Sequence, residues 1–241
     1  MTVHENALGQ PVGAPVPGWV PPLPPPREGM AGRYCRMEPL DAGRHAAEVH
    51  LANARDGDGR MWTYLPYGPF ETPGAYANWV EGVAGAEDPQ FFAIIDGGTN
   101  RAAGVASYLR IDAPAGSIEV GHIAYSPLLQ RTPAATESMY LMMRRAFELG
   151  YRRYEWKCDA LNAASRAAAQ RLGFSYEGVF RQARVNKGRN RDTAWYAAID
   201  TEWPALDRAF CQWLAPENFD ADGRQRTPLR ALTRPILVRE G

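Results

Sequence analysis

The stretch from Ser126 to Glu137 carries the clearest chemical signal in the sequence. It follows a strand-like segment, Ser117 to Tyr125, and Thr132 and Pro133 open a helical pattern within it. The first turn of a helix has N–H groups without helical partners, and the helix dipole adds positive potential there. Threonine is a good N-cap, and proline at the first helical position gives up an N–H that has no helical partner. The sequence therefore predicts an anion-binding turn, suited to a phosphate.

A second strand with a polar helix start follows further along the chain. Tyr154 to Asp159 reads as the strand, and Asn162 opens a helix that ends near Leu172. A strand–helix–strand unit over residues 117–159 places its two strands parallel, with a right-handed crossover. The order strand, phosphate turn, helix, strand, polar helix start indicates a site for a nucleotide-containing acyl carrier, which we interpret as coenzyme A.

The elements that must position these residues follow from hydrophobic periodicity and from turn residues. Further strands are predicted at 33–40, 90–96, 102–112, 176–185 and 191–199, and further helices at 41–55, 71–83 and 201–214. This order predicts an α/β (α+β) fold with a mixed, mostly antiparallel sheet of about six or seven strands. We expect helices on both faces of the sheet and one parallel strand pair at its centre.

Composition divides the chain into three parts. Residues 1–30 are rich in proline, which favours an extended arm that lies on the domain surface or on a second subunit. A ligand for a proline-reading domain is the alternative for this arm. Residues 31–215 form the predicted domain, and residues 216–241 are a polar, arginine-containing tail.

The bulk composition excludes several classes of partner. The 27 basic and 27 acidic residues cancel, which gives no electrostatic argument for nucleic acid or for an anionic membrane. No apolar run approaches the roughly 18 residues of a membrane span. The start of the chain lacks the pattern of a secretory signal. Cys35, Cys158 and Cys211 are too widely spaced for a zinc site or a disulfide scaffold, so we expect a cytoplasmic protein without a metal.

Three motifs at their observed spacing resemble the GNAT superfamily of CoA-dependent N-acyltransferases, over residues 31–204. The loop Gln130 to Thr136 is similar to the family's pyrophosphate loop, and Asp159 to Arg166 is similar to its asparagine-containing helix start. Arg171 to Gly178 is similar to its Leu-Gly-Phe segment. The sequence that follows, with Arg181 and the segment 191–193, resembles the branch of ribosomal-protein N-terminal acetyltransferases (RimJ/RimL-like).

The resemblance implies acetyl-CoA as co-substrate and a set of residues that contact it. These cofactor-binding candidates are Gln130, Arg131, Thr132, Ala134, Ala135, Thr136, Asn162 and Ser165. The chain departs from the family at Pro133, where glycine is usual, and this removes one potential N–H donor to phosphate.

The resemblance also implies catalytic candidates. Glu119 stands where RimL-like enzymes place a carboxylate as general base, and the alternative is an ion pair with an arginine of a neighbouring strand. Many family members use a tyrosine as the acid for the thiolate, but that position is Ala169 here. Ser165 is expected to hydrogen-bond the sulfur instead, unless it only caps its helix. His122 has the better intrinsic pKa, but strand alternation places it opposite Glu119 unless a bulge intervenes.

The acceptor pocket is expected between the first two helices and the 176–199 hairpin. Its candidate residues are Trp62, Tyr64, Trp79 and Arg181, although the aromatic ones are equally suited to a core. The sequence thus predicts transfer of an acetyl group from acetyl-CoA to a primary amine of a protein or small molecule. Succinyl-CoA or another acyl-CoA donor, and a non-catalytic CoA-binding domain, remain alternatives. A homodimer is compatible with the arm and the tail.

Overall fold

An eight-stranded sheet forms the centre of the protein in a computed structural model that describes residues 3–241. Its strands are β3 (Met30–Ala31), β4 (Cys35–Pro39), β5 (Gln90–Asp96), β6 (Arg101–Asp112), β7 (Ser117–Tyr125), β8 (Arg153–Asp159), β9 (Ser175–Asn186) and β10 (Arg189–Ile199). β1 (His4–Glu5) and β2 (Pro11–Val12) form a separate hairpin in the arm.

The strand order is β3-β4-β5-β6-β7-β8-β10-β9, and only β7 and β8 pair in parallel. This confirms the mixed, mostly antiparallel fold with a central parallel pair. The strand beyond the expected six or seven is β3, which belongs to the proline-rich arm and pairs with β4 through Met30↔Met37 and Ala31↔Arg36. Two residues are too few to show the alternation that identifies a strand in a sequence.

Helices cover both faces of the sheet, as predicted. They are α1 (Ala47–Asn53), α2 (Pro73–Ala84), α3 (Pro133–Glu148), α4 (Ala163–Arg171), α5 (Trp203–Leu214) and α6 (Leu229–Thr233), and a π-helical turn at Ala42–Ala46 precedes α1. Alternate residues of β5 face opposite sides. Phe92 packs in the core cluster that includes residues of α3 to α6, whereas Phe91 packs in the cluster that includes residues of α1 and α2.

The proline-rich arm lies on the domain surface, which was one of the two expectations for it. Its backbone carbonyls accept hydrogen bonds from side chains of the domain: Gln90 donates to the carbonyl of Pro25 at 3.0 Å, and Tyr151 donates to that of Leu23 at 3.2 Å. Proline residues cannot donate hydrogen bonds, so these contacts use the carbonyl groups of the arm. The side chain of Arg27 adds hydrogen bonds to the carbonyls of Ala84 and Ala86.

The C-terminal tail also packs onto the domain. Leu229 is buried in the core, and the hydroxyl of buried Thr233 donates to the carbonyl of Arg171 at 3.0 Å. Val238 N–H donates to Ser175 Oγ at 2.9 Å. The tail therefore supports the end of α4 and the start of β9, both of which contribute to the site described below.

No helix within residues 3–241 has both the length and the apolar character that crossing a membrane requires.

Candidate active site

A cavity of about 1130 Å³ opens where β7 and β8 separate. The two strands pair from Ser117↔Arg153 to Val120↔Trp156, and beyond that point their residues line the cavity. The N-termini of α3 and α4, the β9–β10 hairpin and part of the tail complete the wall. A volume of this size suits a large ligand that enters lengthwise.

The turn before α3 is shaped by its own polar groups. Thr132 is the N-cap: its hydroxyl accepts the N–H of Ala135 at 3.1 Å and donates to the carbonyl of Leu129 at 2.7 Å. Gln130 donates from its side chain to the carbonyl of Tyr125 at 2.8 Å. Thr132, Ala135 and Gln130 line the cavity, where ligand contacts are expected of them. Their hydrogen bonds also stabilise the turn.

Other groups at this turn remain open to a ligand. Arg131 has a left-handed backbone conformation (φ 62°), and within residues 3–241 the backbone N–H groups of Arg131 and Ala134 have no hydrogen-bond partner. The side chain of Arg131 lines the cavity, whereas Ala134 is buried and does not. The helix dipole and unpartnered N–H groups of this kind favour an anion, so the anion-binding turn stays a prediction with which this geometry is compatible.

Arg171 is a cavity residue to which the sequence analysis gave no role. It ends α4, and its guanidinium donates to Thr136 Oγ1 at 3.1 Å. Burial lowers the pKa of Arg171, although the side chain stays charged at neutral pH. The residue lies within one of the three motifs, but only the packing of α4 beside α3 brings it to Thr136.

The start of α4 presents two of the predicted residues to the cavity. Asn162 is the N-cap, and its Oδ1 accepts the N–H of Ser165 at 3.1 Å. Ser165 Oγ accepts a hydrogen bond from Trp156 Nε1 at 3.0 Å. Because that bond uses a lone pair of the serine oxygen, the Ser165 O–H can donate to the neighbouring Cys158 or to a ligand.

Glu119 lies in a buried network of charges. Its side chain is 3% exposed, and its Oε2 lies 2.6 Å from Arg110 Nη1 and 2.9 Å from Lys157 Nζ. Lys157 Nζ also contacts Glu155 at 2.5 Å, and Glu155 pairs with Arg153 at 2.6 Å. The ion pair with an arginine of the neighbouring strand is therefore present, and Glu119 also lines the cavity. The two roles considered for Glu119 are compatible in this geometry.

A β-bulge brings His122 to the same cavity as Glu119. The pairing of β6 and β7 shifts between Ser107↔Gly121 and Val105↔Ala124, and His122 has a φ of 49°. The bulge interrupts strand alternation, so the expectation that the two side chains lie on opposite faces does not hold.

The surroundings of His122 keep its imidazole neutral. Burial lowers its pKa to about 4, with further lowering from Arg110, Arg184 and Arg191. The ring stacks on Tyr67 at a centroid distance of 5.6 Å, and its buried Nδ1 has no hydrogen-bond partner within residues 3–241.

The acceptor candidates divide between the cavity and other places. Tyr64 lines the cavity, and its hydroxyl donates to the carbonyl of Leu161 at 3.2 Å. Trp62 and Trp79 do not line it, because both rings pack in an aromatic cluster with Tyr67.

Arg181 is also outside the main cavity. It lines a separate depression on the outer surface of the β9–β10 hairpin, together with Asp192. Arg184 and Arg191 occupy the cavity wall instead. The strands of this hairpin are irregular, with a shift in pairing between Arg191 and Thr193. Sequence alternation could not show which arginines face inward.

Comparisons with known proteins agree with this geometry. The family model for the GNAT acetyltransferase domain matches residues 36–175. A GCN5-related N-acetyltransferase from Brucella melitensis is 44% identical over 91% of this chain and 100% of that chain, with a TM-score of 0.89. A GNAT-family protein from Chromobacterium violaceum ATCC 12472, described as an acetyltransferase, is 41% identical over 81% of this chain and 98% of its own, with a TM-score of 0.75.

More distant structures share the fold. RimL, the ribosomal L7/L12 α-N-protein acetyltransferase, is 22% identical over 70% of this chain and 91% of its own, with a TM-score of 0.60. No curated protein matches the chain significantly. The chain belongs to the GNAT acetyltransferase family, and it is an acetyl-CoA-dependent N-acetyltransferase.

Proposed function

We propose that the cavity between β7 and β8 is the place where an acetyl group passes from acetyl-CoA to a primary amine of a small molecule or protein. One observation supports this most directly. The separation of the two strands brings the N-terminus of α3, Ser165 and Glu119 to a single cavity. Acyl transfer needs an anchored donor, a stabilised leaving group and an acceptor for the amine proton.

The α3 end of the cavity suits the pyrophosphate of the donor. The N–H group and the side chain of Arg131 would contact it, and Arg171, bonded to Thr136, adds positive charge. The turn is stabilised by the hydrogen bonds of Gln130, Thr132 and Ala135. We assign the pantetheine arm to the start of α4, beside Asn162 and Ser165.

The chemical step needs a proton acceptor, and Glu119 is the proposed one. Its carboxylate contacts Arg110 and Lys157 and lines the cavity, and we assign it the proton of the amine, taken through a water molecule. As the amine attacks and the carbon–sulfur bond breaks, the O–H of Ser165 would hydrogen-bond the leaving thiolate.

The proposal extends to location and assembly. A cytoplasmic location is supported by Cys35, Cys158 and Cys211, all of which are free thiols. A homodimer is supported by apolar side chains that the arm exposes, Val3 and Leu8 among them. The balanced charge of the chain supports an acceptor other than nucleic acid.

The test is release of coenzyme A from acetyl-CoA in the presence of primary amines and peptide N-termini. The proposal expects release with some of these acceptors, and slower release from Ser165→Ala at unchanged acetyl-CoA affinity. Tight acetyl-CoA binding without release from any amine would favour the non-catalytic CoA-binding domain. Faster turnover of succinyl-CoA than of acetyl-CoA would identify succinyl-CoA as the preferred donor.

A further inference from the structure

The end of the cavity beside His122 is lined by more arginines than acids. Arg110, Arg184 and Arg191 all line the cavity, and all three act on the charge of His122. Arg184 and Arg191 are cross-strand partners in the β9–β10 hairpin. The three side chains come from two distant parts of the chain, β6 and the hairpin, and converge only in the folded protein.

Local structure fixes the position of Arg110. The carboxylate of Asp88 accepts the backbone N–H groups of Arg110 and Ile111 at 2.9 and 3.0 Å. These bonds hold Arg110 in a left-handed conformation (φ 47°), within the part of β6 where its pairing to β7 shifts. Asp88 is thus occupied by backbone groups, and the side chain of Arg110 projects to Glu119.

Arg184 and Arg191 lack the acidic partners that many other arginines of this domain have. Arg153, for example, pairs with both Glu155 and Glu177. Within residues 3–241, neither Arg184 nor Arg191 has an ion pair or a side-chain hydrogen bond. The Nε atom of Arg191 is fully buried without a partner. A buried donor without a partner costs free energy, which a bound acceptor group would recover.

The charges near these two arginines do not cancel. Burial and then the charges of Arg110 and Arg191 lower the pKa of Arg184, and Glu119 opposes this effect. Glu119 is already shared between Arg110 and Lys157. Asp159, the other acidic residue of the cavity wall, accepts the N–H of Leu161. An anion beside Arg184 and Arg191 would relieve the repulsion between like charges.

The position of the arginines identifies which reactant carries that anion. They lie beside His122 and Glu119, where the amine must arrive, and not at the N-terminus of α3, which suits the phosphates of the donor. A guanidinium offers a planar fork of donors that matches carboxylate and phosphate groups.

We propose that Arg184 and Arg191, with Arg110, form an anion subsite that binds a negatively charged group on the amine acceptor. This inference rests on the proposed function, since it names the acceptor class of the same cavity. The acceptor is then an anionic amine, such as an amino acid, an acidic peptide or a phosphorylated amine, and the subsite orients its amino group toward Glu119.

The test compares acceptors that carry an anionic group with neutral partners of the same carbon skeleton. Two probe sets are used: ω-amino carboxylates of several lengths with their carboxamides, and O-phosphoethanolamine with ethanolamine. Wild type, Arg184→Gln, Arg191→Gln and Arg191→Lys are assayed by acetyl-CoA-dependent release of coenzyme A. Arg189→Gln is the matched control, because Arg189 lies at the exposed tip of the same hairpin and does not line the cavity. Acetyl-CoA affinity and thermal unfolding of each variant show that it is folded.

The expected result is a higher kcat/KM for an anionic acceptor than for its neutral partner. The Arg→Gln variants should lose about 10- to 100-fold on the anionic acceptor, the range expected for one hydrogen bond to a charged group. They should lose little on the neutral one, and Arg191→Lys should recover part of the loss. A preference within the ω-amino carboxylate set identifies a carboxylate as the bound group. A preference for O-phosphoethanolamine over ethanolamine identifies a phosphate.

Three results would overturn the subsite and leave acetyl transfer standing. One is equal turnover of anionic and neutral acceptors, and another is an equal loss on both in the variants. The third is a preference for succinyl-CoA that disappears in the same variants, which would assign the arginines to the donor. If no amine of either set is acetylated, the proposed function itself fails, and the inference fails with it.

Discussion

The two ends of the cavity are built in different ways. At the α3 end, the groups proposed to contact the donor belong to helix starts, where Thr132 and Asn162 cap their own helices. At the His122 end, the groups belong to irregular strands: Arg110 and His122 have left-handed backbones, and Arg184 lies opposite Arg191 across a distorted hairpin.

This difference separates a part of the site that depends on local backbone geometry from a part that depends on side chains brought together by the fold. A helix start binds an anion through backbone N–H groups, which any sequence with suitable caps provides. The His122 end depends on side chains alone, and its positive charge is balanced only in part by Glu119. We therefore expect substitutions at the two ends to have different consequences.

The largest expected effect is that of Glu119→Gln at the His122 end. If Glu119 accepts the proton of the amine, kcat should fall by about 10²- to 10⁴-fold. The substitution also leaves Arg110 and Lys157 without their shared carboxylate, so the free energy of unfolding should fall by about 3 kcal/mol. Steady-state kinetics and urea unfolding measure the two effects.

Glu155→Gln is the matched control for that substitution. Glu155 belongs to the same ion-pair network through Lys157 and Arg153, but it does not line the cavity. It should lower stability while the folded protein keeps a kcat near that of wild type. A similar loss of kcat in both variants would mean that turnover depends on the ion-pair network as a whole and would contradict Glu119 as the base.

An intermediate effect is expected from His122 as the pH falls. Its folded pKa of about 4 lies below the ordinary value of 6.5, mainly through burial and then through Arg110, Arg184 and Arg191, with Asp88 opposing them. As the pH falls below 6.5, the unfolded chain takes up a proton that the folded protein resists. The stabilisation is therefore complete above 6.5 and is lost as the pH falls toward 4.

Urea unfolding of wild type and His122→Asn at pH 7 and pH 5 checks this effect. Asparagine does not titrate and tolerates a left-handed backbone. Wild type should lose about 2 kcal/mol more than the variant over this interval. Equal losses would show that the imidazole is not held neutral, and would weaken the description of this end as cationic.

The smallest expected effect is that of Thr132→Ala at the α3 end. The substitution removes the cap that accepts the N–H of Ala135 and the bond to the carbonyl of Leu129, at a cost of about 1 kcal/mol in stability. Acetyl-CoA affinity should fall only slightly, because the open N–H groups belong to Arg131 and Ala134. A loss as large as that expected for Arg131→Ala would place the Thr132 hydroxyl on the ligand.

The elements and the α3 end could be predicted from the sequence because their signals are local. The strands Gln90–Asp96 and Ser117–Tyr125 have the predicted bounds, and Asn162 begins its helix as expected. Alternation, caps and turn residues operate over a few positions. The fold followed from these local signals together with the family resemblance.

The His122 end could not be predicted because its signals are distant in the chain. A bulge reverses the face of His122, and no residue type marks a bulge in advance. Arg181 was expected in the pocket, whereas Arg184 and Arg191 line it. Trp62 and Trp79 were expected there too, but aromatic residues suit a core equally well, and these two pack in one.

Calorimetric titration with acetyl-CoA tests the central claim, that one end of the cavity holds the donor and the other the acceptor. Wild type, Arg131→Ala and Arg184→Gln are compared. Arg131→Ala should weaken binding by about tenfold, as the loss of one hydrogen bond to a charged group predicts, while Arg184→Gln should leave the affinity unchanged. An equal loss in both variants, or a loss in Arg184→Gln alone, would contradict the division of the cavity into a donor end and an acceptor end.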